Sequence, residues 1–111
     1  MRIIGKSKDF QLIYGDVFED YDTYGIPISI SISLIKDNNG IFCVEEFIGA
    51  ALAKPWDDVK IINELTSAYN DAGMLVSKDE IERKFKLIIF KHWDGKIELN
   101  ELGRVILKKY Q

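Results

Sequence analysis

The sequence predicts an α+β domain, with an antiparallel β-meander or hairpin in the N-terminal half packed by two or three helices from the C-terminal half. Three observations carry this prediction. Short runs of β-branched and aromatic residues alternate with glycines over the first forty-seven residues. Within Ile26–Ile35 apolar side chains alternate with mostly small polar ones as far as Leu34. Beyond residue 57, apolar residues recur at spacings of three and four. At 111 residues the chain has the size of one domain, and residues 1–111 are read as a single α+β unit. A composition that is 47% hydrophobic and 30% charged suits a folded core and does not suit a disordered chain.

The elements follow in order. Arg2–Ile4 and Phe10–Tyr14 read as short strands bounded by Gly5 and Gly15. In Ile26–Ile35 a strand would send Ile26, Ile28, Ile30, Ile32 and Leu34 to one face and Pro27, Ser29, Ser31 and Ser33 to the other. Asp37-Asn38-Asn39-Gly40 supplies turn residues that tolerate positive φ, and Ile41–Phe47 is expected to return as the hairpin partner. Pro55 is expected to close the β half, since it cannot donate to a ladder. Asp57 is placed to cap a helix from Asp58 to about Ala72, with Gly73 just past its end. Ser77-Lys78-Asp79-Glu80 has the form of a capping box opening the next helix, flanked by Val76 and Ile81 as a hydrophobic staple. Residues 87–90 fit either a continued helix or a strand. In the second case Asp94-Gly95 makes a hairpin turn pairing Lys91 with Glu98 and Phe90 with Leu99. From Leu99 onward, Leu102, Val105, Ile106 and Tyr110 mark a last helix.

Charge and chemistry narrow the function. Net charge is −3, but residues 1–58 carry ten acids against five bases while residues 59–111 carry eight against ten. No base occurs between Lys8 and Lys36. A one-signed stretch of this kind repels nucleic acid and attracts basic surfaces, so direct nucleic-acid binding is not expected. No apolar run reaches the roughly 18 residues a membrane helix needs, and no membrane partner is expected. With no signal-like apolar stretch behind MRIIGKSKDF, the expected location is cytoplasmic. Cys43 is a lone thiol in the apolar run Ile41–Val44, and His92 is the only histidine. No phosphate loop, CxxC or metal-ligand spacing occurs, so no catalytic residue, metal or cofactor is assigned and the chain is not expected to be an enzyme. Carboxylates brought together from distant segments are the one route to a small enzyme.

Two partial resemblances exist. Residues 94–106, DGKIELNELGRVI, resemble the second half of an EF-hand in Asp94, Gly95, Ile97, Glu101 and Leu102. The first and third loop positions are Phe90 and His92, which removes two oxygen ligands, so the resemblance implies a regulatory interaction module that does not bind calcium. Residues 58–72 and 78–86 followed by 87–99 also have the order of a helix pair and wing, although Asp79, Glu80 and Glu82 on its second helix would be repelled by phosphates.

The most distinctive segment is Gly15–Gly25, GDVFEDYDTYG. It sets Asp16, Glu19, Asp20 and Asp22 among Phe18, Tyr21 and Tyr24, and it reads as an acidic loop. Trp56, Asp57 and Asp58 extend the same chemistry if the fold brings that helix start nearby. Tyrosines supply rigid contact area and carboxylates supply steering, which together suit a basic protein partner. In size, charge and α+β pattern the whole chain resembles the immunity proteins of bacterial toxin systems, including those of contact-dependent growth inhibition. That resemblance implies stoichiometric binding to a basic, nuclease-type toxin domain.

Overall fold

The structure, a computed structural model, describes residues 1–93 and 96–99. It opens with the two expected short strands, paired as a hairpin. Strand β1 (Arg2–Lys6) runs antiparallel to β2 (Leu12–Gly15), with Arg2 opposite Gly15 and Lys6 opposite Leu12. The turn is closed by Ser7 N–H to the Gln11 carbonyl at 2.9 Å and Phe10 N–H to the Ser7 carbonyl at 3.1 Å. Two helices follow where the sequence suggested a loop and a strand: α1 (Val17–Tyr24) and α2 (Ile28–Asp37). A two-residue strand, β3 (Ile41–Phe42), then pairs with β2 in parallel. The sheet is therefore mixed, in the order β1-β2-β3, and not an antiparallel meander.

The correction at α2 has a simple cause. Its isoleucines satisfy two periods at once. Read every second residue they make a strand face, but Ile28, Ile32 and Ile35 also lie at i, i+4 and i+7. The fold uses the second set. Those three and Ser31 are buried, whereas Ile30 is 50% exposed and Leu34 46%. Pro27 lies just before the first helical residue, and the predicted Asn-Asn-Gly turn ends the helix with Asn39 at φ 53°. A short helix buried along one side mimics strand alternation whenever apolar residues also occupy its solvent face.

The apolar run after β3 is likewise helical. α3 (Val44–Ala53) buries Val44, Glu46, Phe47, Ile48, Gly49, Ala50 and Ala51. It is hydrophobic nearly all round, which is the pattern of a central helix and is easily mistaken for a buried strand. Pro55 accordingly ends a helix and not the β half, after a cis Lys54–Pro55 bond.

The rest follows the sequence closely. α4 (Asp58–Asp71) is capped by Asp57, whose Oδ1 accepts from Lys60 N–H at 2.7 Å, and Gly73 takes φ 80° just past its end. α5 (Lys78–Ile88) begins with Ser77 Oγ accepting from Glu80 N–H at 3.2 Å, half of the expected capping box. Strands β4 (Ile89–Trp93) and β5 (Lys96–Leu99) pair antiparallel, the second of the two alternatives the sequence left open, with Lys91 opposite Glu98. Leu99 faces Ile89 and not Phe90, because the register shifts between Ile89 and Lys91. The predicted last helix lies beyond Leu99, outside the described residues. The class is α+β, with α1, α2 and α3 supplied by the half expected to be all β. The core joins Phe18, Ile32, Phe47, Ile48, Ile61, Leu65 and Ile81 from the five described helices.

This assignment separates two neighbouring isoleucines that a strand would treat alike. Ile32→Ala is expected to cost about 2–4 kcal/mol in urea unfolding, the usual range for a fully buried isoleucine, and Ile30→Ala less than about 1 kcal/mol. Equal losses would show that both side chains share one buried face.

Candidate functional site

Val17–Tyr24 form a helix because each end is chemically punctuated. Asp16 precedes it at φ 64° and Gly25 ends it at φ 69°, its N–H bonded to the Tyr21 carbonyl at 3.1 Å. Within it Val17 and Phe18 turn inward, which brings the carboxylates onto the sides of a helix and not a loop. Glu19 and Asp20 in the first turn are favoured by the helix dipole.

The acids that look uncompensated in sequence are largely compensated in space. Arg2 Nε lies 3.0 Å from Asp16 Oδ2, the amino group of Met1 contacts Asp20, and Lys54 Nζ lies 2.8 Å from Asp22 Oδ2. The antiparallel pairing of Arg2 with Gly15 delivers the first two cations, and the end of α3 delivers the third. Such contacts have no local signature, because their partners lie 14 to 32 residues away in the chain.

The aromatics divide in the same way. Phe18 is 5% exposed and meets Phe47 at 5.4 Å and Trp56 at 5.1 Å between ring centroids, both edge to face. Tyr21 meets Trp56 at 5.9 Å, and Lys60 Nζ sits 4.3 Å above the Trp56 ring. The start of α4 therefore does lie beside α1. Asp57 and Asp58 bond the backbone there, Asp58 Oδ1 accepting from Val59 N–H at 2.9 Å. Tyr24, 71% exposed, presents its ring to solvent.

Two grooves flank α1. One, of about 480 Å³, opens toward α3 and is lined by Asp16, Glu19 and Asp22 with Arg2 and Lys54, over Phe18 and Ala50. The other, of about 170 Å³, runs between the start of α2 and α4, with Tyr21 of α1 at its edge and Glu64 and Asp71 of α4 in its wall, and with no base among its described lining. Among the described residues Glu19, Glu64 and Asp71 enter no ion pair. Sequence reasoning missed Glu64 and Asp71. Their spacing of seven on a predicted helix, which puts both on one face, was the available signal.

Other candidate groups take structural positions. Glu46, 4% exposed, accepts the Asp16 N–H on Oε1 at 2.7 Å and so ties α3 to the start of α1. It lies in the first turn of α3, not on a strand with Glu45. Gly15 is required beside it, because an added Cβ would collide with the Glu46 carboxylate. Cys43 precedes α3, with Sγ 3.6 Å from Glu45 Oε2. Burial first, aided by the Glu45 and Glu46 charges, pushes its thiol from the ordinary 9.0 up to about 11. Burial, with Glu45 adding to it, also raises the Tyr69 hydroxyl above its usual range. Among the described residues no group of three or more His, Cys, Asp or Glu is placed to hold a metal. No described helix is long and apolar enough to cross a membrane. Asp94, Gly95, Glu101 and Leu102 of the EF-hand-like stretch lie outside the described residues, while Phe90, His92 and Ile97 fall on β4 and β5. Set against family models, curated proteins and solved structures, the chain matches none.

Two measurements follow from these positions. Cys43 is protonated at neutral pH, so its reaction with a disulfide reagent should be slow at pH 7–8 and accelerate as pH rises toward about 11. A rate that levels off below pH 9 would contradict this environment. Gly15→Ala should lower stability by about 1–3 kcal/mol, the cost of overpacking a closed contact, read from the denaturation midpoint.

Proposed function

We propose that this chain is a non-catalytic binding protein of the immunity type, which neutralises a cognate bacterial toxin carrying a basic, nuclease-type domain in the cytoplasm. The observation that carries the reading is the pair of grooves along α1, where Glu19, Glu64 and Asp71 line open space without an ion-pair partner among the described residues. A cationic partner gains most at carboxylates that are not already neutralised, so the contact centres on these three and on the exposed Tyr24. Asp22 is a secondary contact. Its partner Lys54 is half exposed and can be exchanged for a cation of the toxin at little cost. Asp16, Asp20, Phe18 and Trp56 hold α1 in place, and Asp57 and Asp58 add negative field at the edge of the surface. On this reading the carboxylates stand where substrate phosphates would lie.

One observation favours a second reading. The order of α4, α5 and the β4–β5 hairpin is that of a winged-helix nucleic-acid binder, and α5 exposes Arg83, Lys84 and Lys86. The first turn of α5 holds Asp79 and Glu80, and the chain is acidic overall, which opposes phosphate contacts.

The test is binding to the product of the neighbouring open reading frame, which on this reading carries a basic toxin domain. Glu64→Lys with Asp71→Lys should slow association about tenfold or more at low salt, and the difference should shrink as salt rises. Cells producing the toxin should then lose protection. Unchanged association and protection would overturn the acidic-groove contact, and low-salt binding to a short DNA or RNA duplex would move the assignment to the second reading.

A further inference from the structure

A third groove, of about 320 Å³, opens between the C-terminal ends of α2 and α4. Its volume falls at the low end of small-molecule sites, about 300–1,000 Å³. It shares no residue with the grooves beside α1. The walls are apolar, formed by Ile35, Ile41, Phe42, Met74 and the Tyr69 ring, and Lys36 is the one charged residue among the described lining. Ile41, Phe42 and Met74 are each partly exposed, so the apolar surface is reachable from solvent.

Two helix C-termini converge here, and free carbonyls would favour a cation. Those carbonyls are already engaged. Gly40 N–H bonds the Ile35 carbonyl at 2.8 Å, and Met74 N–H bonds the Tyr69 carbonyl at 2.9 Å. Asn39, on the rim, receives Gln11 Nε2 on its carbonyl at 3.2 Å. Asp37 is exposed and does not line the groove. Lys36 supplies the one full charge in the described lining, while Glu45, outside it, acts on the Tyr69 hydroxyl.

We propose that this groove binds a small amphipathic carboxylate, its apolar chain lying on Phe42 and Met74 and its carboxylate meeting Lys36 Nζ. The site is independent of the toxin contact and stands or falls separately from it.

The probe is octanoate, kept below its micelle-forming concentration and titrated into the full ¹⁵N-labelled chain, with 1-octanol and octylamine as matched controls. Saturable amide shifts centred on Ile35, Lys36, Ile41, Phe42 and Met74 are expected. Octanol should bind about threefold more weakly, the scale of a partly exposed ion pair. Lys36→Gln should abolish the preference for octanoate over octanol while leaving the melting temperature unchanged, since Lys36 is exposed. Shifts that do not saturate, shifts centred elsewhere, or octanol or octylamine binding as tightly as octanoate would each overturn the proposal.

Discussion

α1 can present carboxylates at its edges because Phe18 is held in the same aromatic cluster as Phe47 and Trp56. This cluster joins three segments that are remote in sequence: the helix after the hairpin, the central helix α3, and the start of α4. An eight-residue helix is too short to be stable by itself. What keeps it folded is the burial of Val17 and Phe18, with Tyr21 covering Trp56. The ion pairs with Arg2 and Lys54 are partly exposed and add little to stability. Their consequence is electrostatic. They neutralise Asp16 and Asp22, and among the acids lining the grooves that reach α1 they leave Glu19, Glu64 and Asp71 without an ion pair among the described residues.

The central position of α3 explains the remaining architecture. Gly49, Ala50 and Ala51 are small enough for neighbouring elements to approach its axis closely, and Phe47 and Ile48 fill the space on either side. Its first turn reaches back to the sheet through Glu46, which takes the backbone N–H of Asp16. One buried carboxylate thus sets the angle at which the chain leaves β2 and enters α1, and Gly15 is the residue small enough to allow it. The same first turn surrounds Cys43 with negative charge and apolar cover, which leaves the thiol inert at neutral pH.

Two kinds of surface result. The two grooves that reach α1 carry acidic side chains, and on the proposed reading a cationic partner would seat there. Between the ends of α2 and α4 the groove is apolar with a single lysine among its described lining. The first draws its carboxylates from two helices, Glu19 and Asp22 of α1 and Glu64 and Asp71 of α4. The second arises because two helices end against a two-residue strand too short to cover the space between them.

Elements with local chemical signals were legible in the sequence. The two short N-terminal strands, the Asp57 cap with Gly73 after it and the Ser77 helix start depend on residues within a few positions of one another, whereas residues 87–99 fitted a hairpin and a continued helix equally. The identity of residues 28–37 and 44–53 was not legible, because apolar residues there satisfy strand and helix periods together. Burial against α4 and the core selected the helical set. The candidate site divides along the same line. The sequence by itself concentrated acids and tyrosines between Gly15 and Gly25 and excluded bases from that stretch. Tertiary structure alone decided which of those acids meet Arg2 and Lys54, which aromatics are buried, and that Glu64 and Asp71 complete the surface. Charge pairing and groove shape depend on distances in space, and those are determined when the helices pack.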